Sequence, residues 1–361
     1  MPTTVTPRDP SLTARRAAHA TAATSLALLS DQRIAELLDS AAPLGSGIGG
    51  TSALLDVDGT PVFVKRVPLT DRELRPEHLR STANLHDLPV FCQYGMGSPG
   101  SPGVGAWREL AAHTMATHWA LAGEYEGFPL MYHWRVVPDP APSLPEELQD
   151  VDAAVAYWGG GAGVRERIEG VRDSTASLAL FLEYLPYDLH TWLTERTGAG
   201  TAGADGAYAL VERELAAAAA FMRERGLIHF DAHFGNLLTD GHRLYVADFG
   251  LALSSRFDLS PAERSFFAHH ATYDRSYTAG YLVNWLVTTV YGHQRAEREA
   301  LIRACAAGAP LPEGTPPGAA SIITRHAPLT AVVTDFHMRL MEQSRETAYP
   351  AEEIGRLLAG L

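Results

Sequence analysis

Cysteine is nearly absent from this chain of 361 residues: Cys92 and Cys305 are the only two. They stand far apart, match no metal-ligand spacing and offer no disulfide framework, which fits a reducing cytoplasm as the expected location. No run of eighteen or more apolar residues occurs, so no membrane-spanning helix is expected. Lysine is scarce and the net charge is −13, which argues against a generic nucleic-acid or anionic-membrane surface. Acidic residues are scarce at the N-terminus, with one before Asp31 against Arg15, Arg16 and many Ala and Thr. That composition is similar to a transit peptide, but the apolar part around Leu26-Ala27-Leu28-Leu29 is too short for a signal-peptide core.

What is present is an ordinary globular composition, 46% hydrophobic, long enough for two lobes with separate cores. Residues 1–12 read as a loose tail and 13–40 as helical, with Ser30 or Asp31 capping a short amphipathic helix over 31–40. The most informative stretch runs from Ile228 to Leu251. It holds two polar clusters, His229/Asp231/His233/Asn236 and Asp248-Phe249-Gly250. Leu237-Leu238 leads into a hairpin-type turn at Thr239-Asp240-Gly241-His242, and Leu244-Tyr245-Val246-Ala247 leads out to Asp248. Such a hairpin is expected to bring Asp231, Asn236 and Asp248 near one point. Two carboxylates and an amide oxygen are hard ligands suited to Mg²⁺ and to a hydroxyl nucleophile.

This stretch resembles the catalytic and metal-binding loops of the protein-kinase-like superfamily, H-x-D-x-x-x-x-N followed by D-F-G. Asn236 lies five positions and Asp248 seventeen positions after Asp231, in keeping with that pattern. The resemblance implies an α+β, bilobal fold. It would have an N-terminal twisted antiparallel sheet with one main helix and a larger, mainly helical C-terminal lobe. Domain limits follow as a tail and helix over 1–40, a nucleotide-binding lobe over 41–185 and a helical lobe over 186–361.

Upstream, Gly45, Gly47 and Gly50 form G-x-G-x-x-G, a pattern that lets backbone approach phosphate oxygens. A hairpin follows over 52–57 and 61–67, turning at Asp58-Gly59-Thr60. Its second strand places Lys65 on the more apolar face with Phe63 and Val67, and Arg66 on the other. By resemblance Lys65 pairs with nucleotide phosphates. Ser52 stands where kinases usually carry a Val that packs on adenine. Residues 68–106 read as an insertion with a short helix around 71–80, followed by a helix over 106–121. Glu109 on that helix is the expected partner of Lys65, with Glu73 and Glu77 as rivals.

A second insertion spans 138–176, with a helix from Leu144 to Tyr157 and a Gly-rich link at 159–163. The end of the strand Leu178–Leu185, Leu182-Glu183-Tyr184-Leu185, resembles the kinase hinge. Leu182 would guard the pocket behind the base, Glu183 and Leu185 would offer main-chain groups to adenine, and Asp188 would reach the ribose. Residues 197–206 are a low-complexity linker, and an Ala-rich helix over 208–225 ends at Gly226. Further helices are expected over 279–292, 294–307, 319–346 and 350–360, with Asp274 anchoring the catalytic-loop backbone.

The implied activity is ATP- and Mg²⁺-dependent phosphoryl transfer, without nucleic-acid or membrane partners. Asp231 would accept the acceptor proton, Asn236 and Asp248 would hold Mg²⁺, and Lys65 would neutralise phosphate charge. Two departures bear on the acceptor. Phe230 replaces the Arg that binds an activation-segment phosphate, and no Ala-Pro-Glu closes the segment after Gly250. His233 replaces the usual Lys, which makes the loop similar to that of aminoglycoside, choline and related small-molecule phosphotransferases. The leading expectation is a Ser/Thr protein-kinase-like enzyme. The alternatives are a small-molecule kinase and a pseudokinase that binds without turnover.

Overall fold

The computed structural model describes residues 11–47, 49–139, 143–198 and 203–361. The expected tail over 1–12 therefore lies almost wholly outside the described residues, as does the middle of the 197–206 linker. The chain divides into two compact units, Met1–Pro186 with Ala247–Ala262, and Tyr187–Val246 with Glu263–Leu361.

The first unit begins with α1 (Leu12–Leu28) and α2 (Asp31–Asp39). Ser11 and Ser30 cap them by accepting from Ala14 N and Arg33 N at 3.2 and 3.3 Å. There follow β1 (Ala42–Gly47), β2 (Gly50–Val57), β3 (Thr60–Leu69), α3 (Ala106–Ala122) and β4 (Met131–Pro138). The unit continues through α4 (Glu146–Gln149), α5 (Val151–Tyr157), α6 (Ala162–Arg172) and β5 (Ala176–Glu183). The five strands form one antiparallel sheet in the order β1-β2-β3-β5-β4.

Both faces of this sheet are apolar, and the alternation along each strand sorts them. Val62, Val64, Ala179 and Phe181 face a core shared with Ala22, Leu26, Ile34 and Leu38 of α1 and α2. Val67, Leu69, Leu178, Leu180 and Leu182 face a core with Trp107 and Leu110 of α3. The expected sheet with one main helix is thus corrected to a sheet covered on both sides. The central strands would otherwise leave an apolar face in water.

The expected helix at 71–80 is replaced by a single 3-10 turn, Pro76–His78. Pro76 cannot donate into a continuing helix, and the Thr70 and Glu73 side chains bond to each other and to nearby backbone instead. The helix expected over 144–157 is broken at Asp150, whose carboxylate accepts from Ala153 N at 3.0 Å and starts α5. α6 is a further helix of the second insertion, with Val164, Ile168 and Val171 at helical spacing on its buried side. The two insertions share a third core, in which Leu88, Cys92 and Val104 meet Leu148, Val155, Trp158 and Ile168. Burial there pushes the Cys92 thiol up to about 12, so it stays protonated and unreactive.

The second unit opens with β6 (Tyr187–Asp188), α7 (Leu189–Gly198), α8 (Ala204–Glu224) and β7 (Leu227–Ile228). The hairpin strands β8 (Leu237–Thr239) and β9 (Leu244–Val246) follow and pair antiparallel, with β6 beside β8. Then come α9 (Pro261–His269), α10 (Tyr273–Tyr291), α11 (Arg295–Ala306), α12 (Pro317–Glu342) and α13 (Ala351–Ala359). α10 is the buried helix, packed against α8 and α12. It starts six residues earlier than expected and so takes in Asp274. The molecule is an α+β protein. Among the described residues, no helix is long and apolar enough to cross a membrane.

Candidate functional site

Lys65 is the sole lysine in the sequence. It sits in β3 opposite Ser52 and Leu180, on the face that α3 covers, and it is buried. Its ammonium lies 2.8 Å from Glu109 Oε1 and 2.7 Å from Asp248 Oδ1. Burial by itself would lower its pKa, but the charges of Asp248 and Glu109 outweigh that and hold the ammonium well above its ordinary range. In this arrangement the lysine is a buried cation.

Glu109 lies in the first turn of α3 and is buried. Among Glu109, Glu73 and Glu77, it is Glu109 that meets Lys65. Glu73 is committed elsewhere: its carboxylate accepts from Arg167 Nη1 at 2.9 Å, Thr70 N at 2.9 Å and Ala106 N at 2.8 Å. Burial works against its charge, but Arg167 and these donors lower its pKa, so it remains ionised at the start of α3. Glu77 is exposed on the 3-10 turn. One helical turn beyond Glu109, His113 is fully buried, with Nε2 3.8 Å from Glu109 Oε1 and its ring edge-on to Phe249 at 4.9 Å.

Asp248 reaches Lys65 from a backbone in the left-handed region, φ 61°. Such a conformation is uncommon for a residue other than glycine, Asn or Asp. Gly250 makes the approach possible. A Cβ there would stand 3.3 Å from Asp248 Oδ1 and 3.5 Å from Glu109 Oε2, inside the space the three charges use.

The glycine-rich segment forms the β1–β2 hairpin, with Gly47 opposite Gly50 and Gly45 opposite Ser52. Gly50 is the glycine with no substitute: φ is 116°, and a Cβ would fall 2.0 Å from the Arg66 carbonyl oxygen. A Cβ on Gly49 would stand 3.0 Å from Lys65 Nζ, so bare backbone at the hairpin tip lies close to the ammonium.

Leu182 is buried near the end of β5, opposite Phe63 and Met131. Glu183 N–H donates to Leu130 O at 2.7 Å, and Leu185 is half-buried just beyond the strand. The Glu183 side chain has a role the sequence did not suggest. It receives Arg15 Nη2 at 2.7 Å and Leu130 N at 3.0 Å.

In the second unit, the loop after β7 is held from below by Asp274. Its carboxylate accepts from His229 N at 2.7 Å and Phe230 N at 3.0 Å. Burial raises the Asp274 pKa to about 6, against the pull of those two N–H groups. Phe230 takes φ 65° and is fully buried against Phe266 and Tyr273. Its side chain is thus an apolar anchor for the loop.

Asp231 follows, with its N–H donating to His229 Nδ1 at 3.2 Å. Asn236 Nδ2 donates to Asp231 O at 2.9 Å and to Asp231 Oδ2 at 3.1 Å, which uses the amide's donor side. His233 Nδ1 accepts from Gly235 N at 3.0 Å, and its Nε2 is 3.9 Å from Asp231 Oδ2. Asp188 caps α7, accepting from Thr191 N and Thr191 Oγ1 at 2.9 and 2.8 Å.

The first unit thus gathers Lys65, Glu109, Asp248 and the glycine hairpin. The second gathers Asp231, Asn236 and His233. The residues missed by sequence reasoning are Arg15 and the Glu183 side chain. An Arg in the apolar-rich α1 was the one signal that could have found the first. No protein-family model matches the sequence, and no curated protein matches it.

Proposed function

We propose that this chain is an ATP- and Mg²⁺-dependent phosphotransferase with a bilobal, protein-kinase-like fold, acting on Ser or Thr hydroxyls of a protein. The observation that carries the reading is the sole lysine, held between Glu109 and Asp248 at 2.8 and 2.7 Å. A buried lysine whose titration is strongly perturbed by named charges is a candidate for a functional role, and binding a phosphate is the role its place beside the glycine hairpin supports. The glycine hairpin supports the same reading, because a side chain at Gly49 would occupy space against the ammonium that a phosphate oxygen could use.

Each unit also offers an oxygen donor of the kind Mg²⁺ takes. Asp248 supplies a carboxylate whose side chain is 40% exposed, and the Asn236 amide is oriented by Asp231. These are hard oxygen donors, and Mg²⁺ takes only one or two protein carboxylates beside substrate phosphates. When bound, Mg²⁺ would neutralise charge on the nucleotide phosphates.

In this reading Lys65 binds the phosphates, and Glu109 keeps it in place. The backbone of Gly45, Gly47 and Gly50 borders the phosphates. The Glu183 carbonyl and Leu185 N–H receive the adenine edge. Asp231 orients the acceptor hydroxyl and takes its proton, and Asn236 and Asp248 would hold the metal. Catalysis is then positioning and charge neutralisation.

One observation favours a second acceptor class. His233 stands 3.9 Å from the Asp231 carboxylate and is 37% exposed, where a compact small-molecule substrate would meet an imidazole. ATP turnover measured with a generic protein substrate and with a panel of hydroxylated metabolites decides between the two, with Asp231→Asn as control. Nucleotide binding without turnover on any acceptor would point to a binding module. No nucleotide binding at all would defeat the proposal.

A further inference from the structure

The segment after Gly250 is held by side chains from outside it. Gln93, buried in the first insertion, donates from Nε2 to Leu251 O. Thr82, also in the insertion, accepts from Asp258 N at 2.9 Å through its hydroxyl. The Thr82 carbonyl in turn accepts from Arg108 Nε at 2.7 Å. Arg108 is itself buried beside Glu109, and its guanidinium lies 5.8 Å from the centre of the Phe257 ring. The insertion therefore grips the segment at two points, Leu251 and Asp258, and α3 grips it between them.

These contacts have a common geometric effect. Leu251 is three positions after Asp248, and Phe249 packs edge-on against His113 of α3. Arg108 and Glu109 are adjacent on one helix, so the element that orients Lys65 is tied to the segment that carries Asp248. Phosphorylated segments reach such an ordered state by recruiting arginine to a phosphate. Here neutral hydrogen bonds from the insertion supply the order, and Phe230 occupies the place of the arginine that would read a phosphate.

We infer that Thr82 and Gln93 are positioning residues: the 68–106 insertion braces residues 251–258 so that Asp248 stays on Lys65 without phosphorylation. This rests on the phosphotransferase reading, with Asp248 as a metal-holding group. The brace acts through Asp248 and is not itself a catalytic element.

The test uses the full chain. Thr82→Val, Thr82→Ser, Gln93→Leu and the double variant Thr82→Val/Gln93→Leu are compared with the wild type. Turnover is measured over a range of MgATP, and hydrogen exchange is followed at residues 251–258. The double variant is expected to lose kcat by roughly 10- to 100-fold, as a misplacement of about an ångström would cause. Thr82→Ser is expected to keep kcat because it keeps the hydroxyl. Exchange over 251–258 should quicken in the double variant while the β3–β5 amides stay protected. Phosphatase treatment of the wild type should change nothing.

An active double variant with wild-type kcat overturns the inference, as does loss of wild-type activity after phosphatase. Should the double variant not fold, Thr82→Val against Thr82→Ser carries the same comparison, and equal kcat in those two overturns it. Absence of turnover in the wild type would instead defeat the phosphotransferase reading itself, and the brace's catalytic role with it.

Discussion

Arg15 and Glu183 form a buried ion pair across 168 positions of sequence, with Arg15 Nη2 2.7 Å from Oε2 and Nε 2.9 Å from Oε1. The same guanidinium donates to the carbonyls of Glu126 at 2.8 Å and Phe128 at 2.6 Å. The N-terminal helix is thereby fastened to the end of β5. Removing one partner of such a pair leaves a buried charge uncompensated, at a cost of about 3–5 kcal/mol. We predict that Arg15→Met and Glu183→Met each destabilise the protein by that amount in urea denaturation. The double variant should lose less than the sum of the two. Strictly additive losses would mean that the pair contributes no mutual stabilisation.

Lys65 offers a chemical test because no second lysine competes with it. An amine-reactive nucleotide analogue is predicted to label one internal peptide, that containing Lys65, at a rate that rises with pH because the ammonium must first lose its proton, and excess ATP should protect it. Lys65→Met should lower turnover by at least about 100-fold. Lys65→Arg should not restore it, since a planar guanidinium cannot take the compact place between Glu109 and Asp248. Labelling confined to the N-terminal amine would count against nucleotide contact at Lys65.

The glycines of the β1–β2 hairpin should differ sharply. Gly50→Ala places a Cβ 2.0 Å from the Arg66 carbonyl at φ 116°, so backbone must move. A loss of about 3 kcal/mol or more is expected. A Cβ on Gly47 meets nothing within 4 Å, and Gly47→Ala should stay within about 0.5 kcal/mol of wild type. Thermal unfolding of the two variants checks this, and equal effects would contradict the described hairpin.

Asp274 should give the loop a pH dependence. Its folded pKa of about 6 lies above the value of about 3.9 for an unfolded aspartate. The folded state therefore binds the extra proton between these values, and this group's stabilising effect falls as pH rises from about 4 to about 6. His270 and His337 act the other way. Burial lowers them to about 4 and about 3, so their contribution is full above about 6.5 and is lost as pH falls toward those values. Global stability mixes the two signs, so a local probe is needed. The amide resonances of His229 and Phe230 should titrate with a midpoint near 6 and stop doing so in Asp274→Asn. A flat profile in the wild type would show that Asp274 does not titrate in this range.

Local pattern determined much of this protein. The β2–β3 and β8–β9 hairpins, most helices, and the face of β3 that carries Lys65 follow from alternation, helical spacing and turn residues, all of which act over a few positions. Even α6 and the break at Pro76 had signals of that kind. Tertiary structure decided the rest. Three carboxylates could have met Lys65. Glu109 does because Arg167, distant in sequence, claims Glu73, while Glu77 is left exposed on a turn. The pairing of Arg15 with Glu183 and the common core of the two insertions arise likewise from residues far apart in the chain. A buried charge must find its partner wherever the fold brings one, and sequence spacing holds no record of that distance.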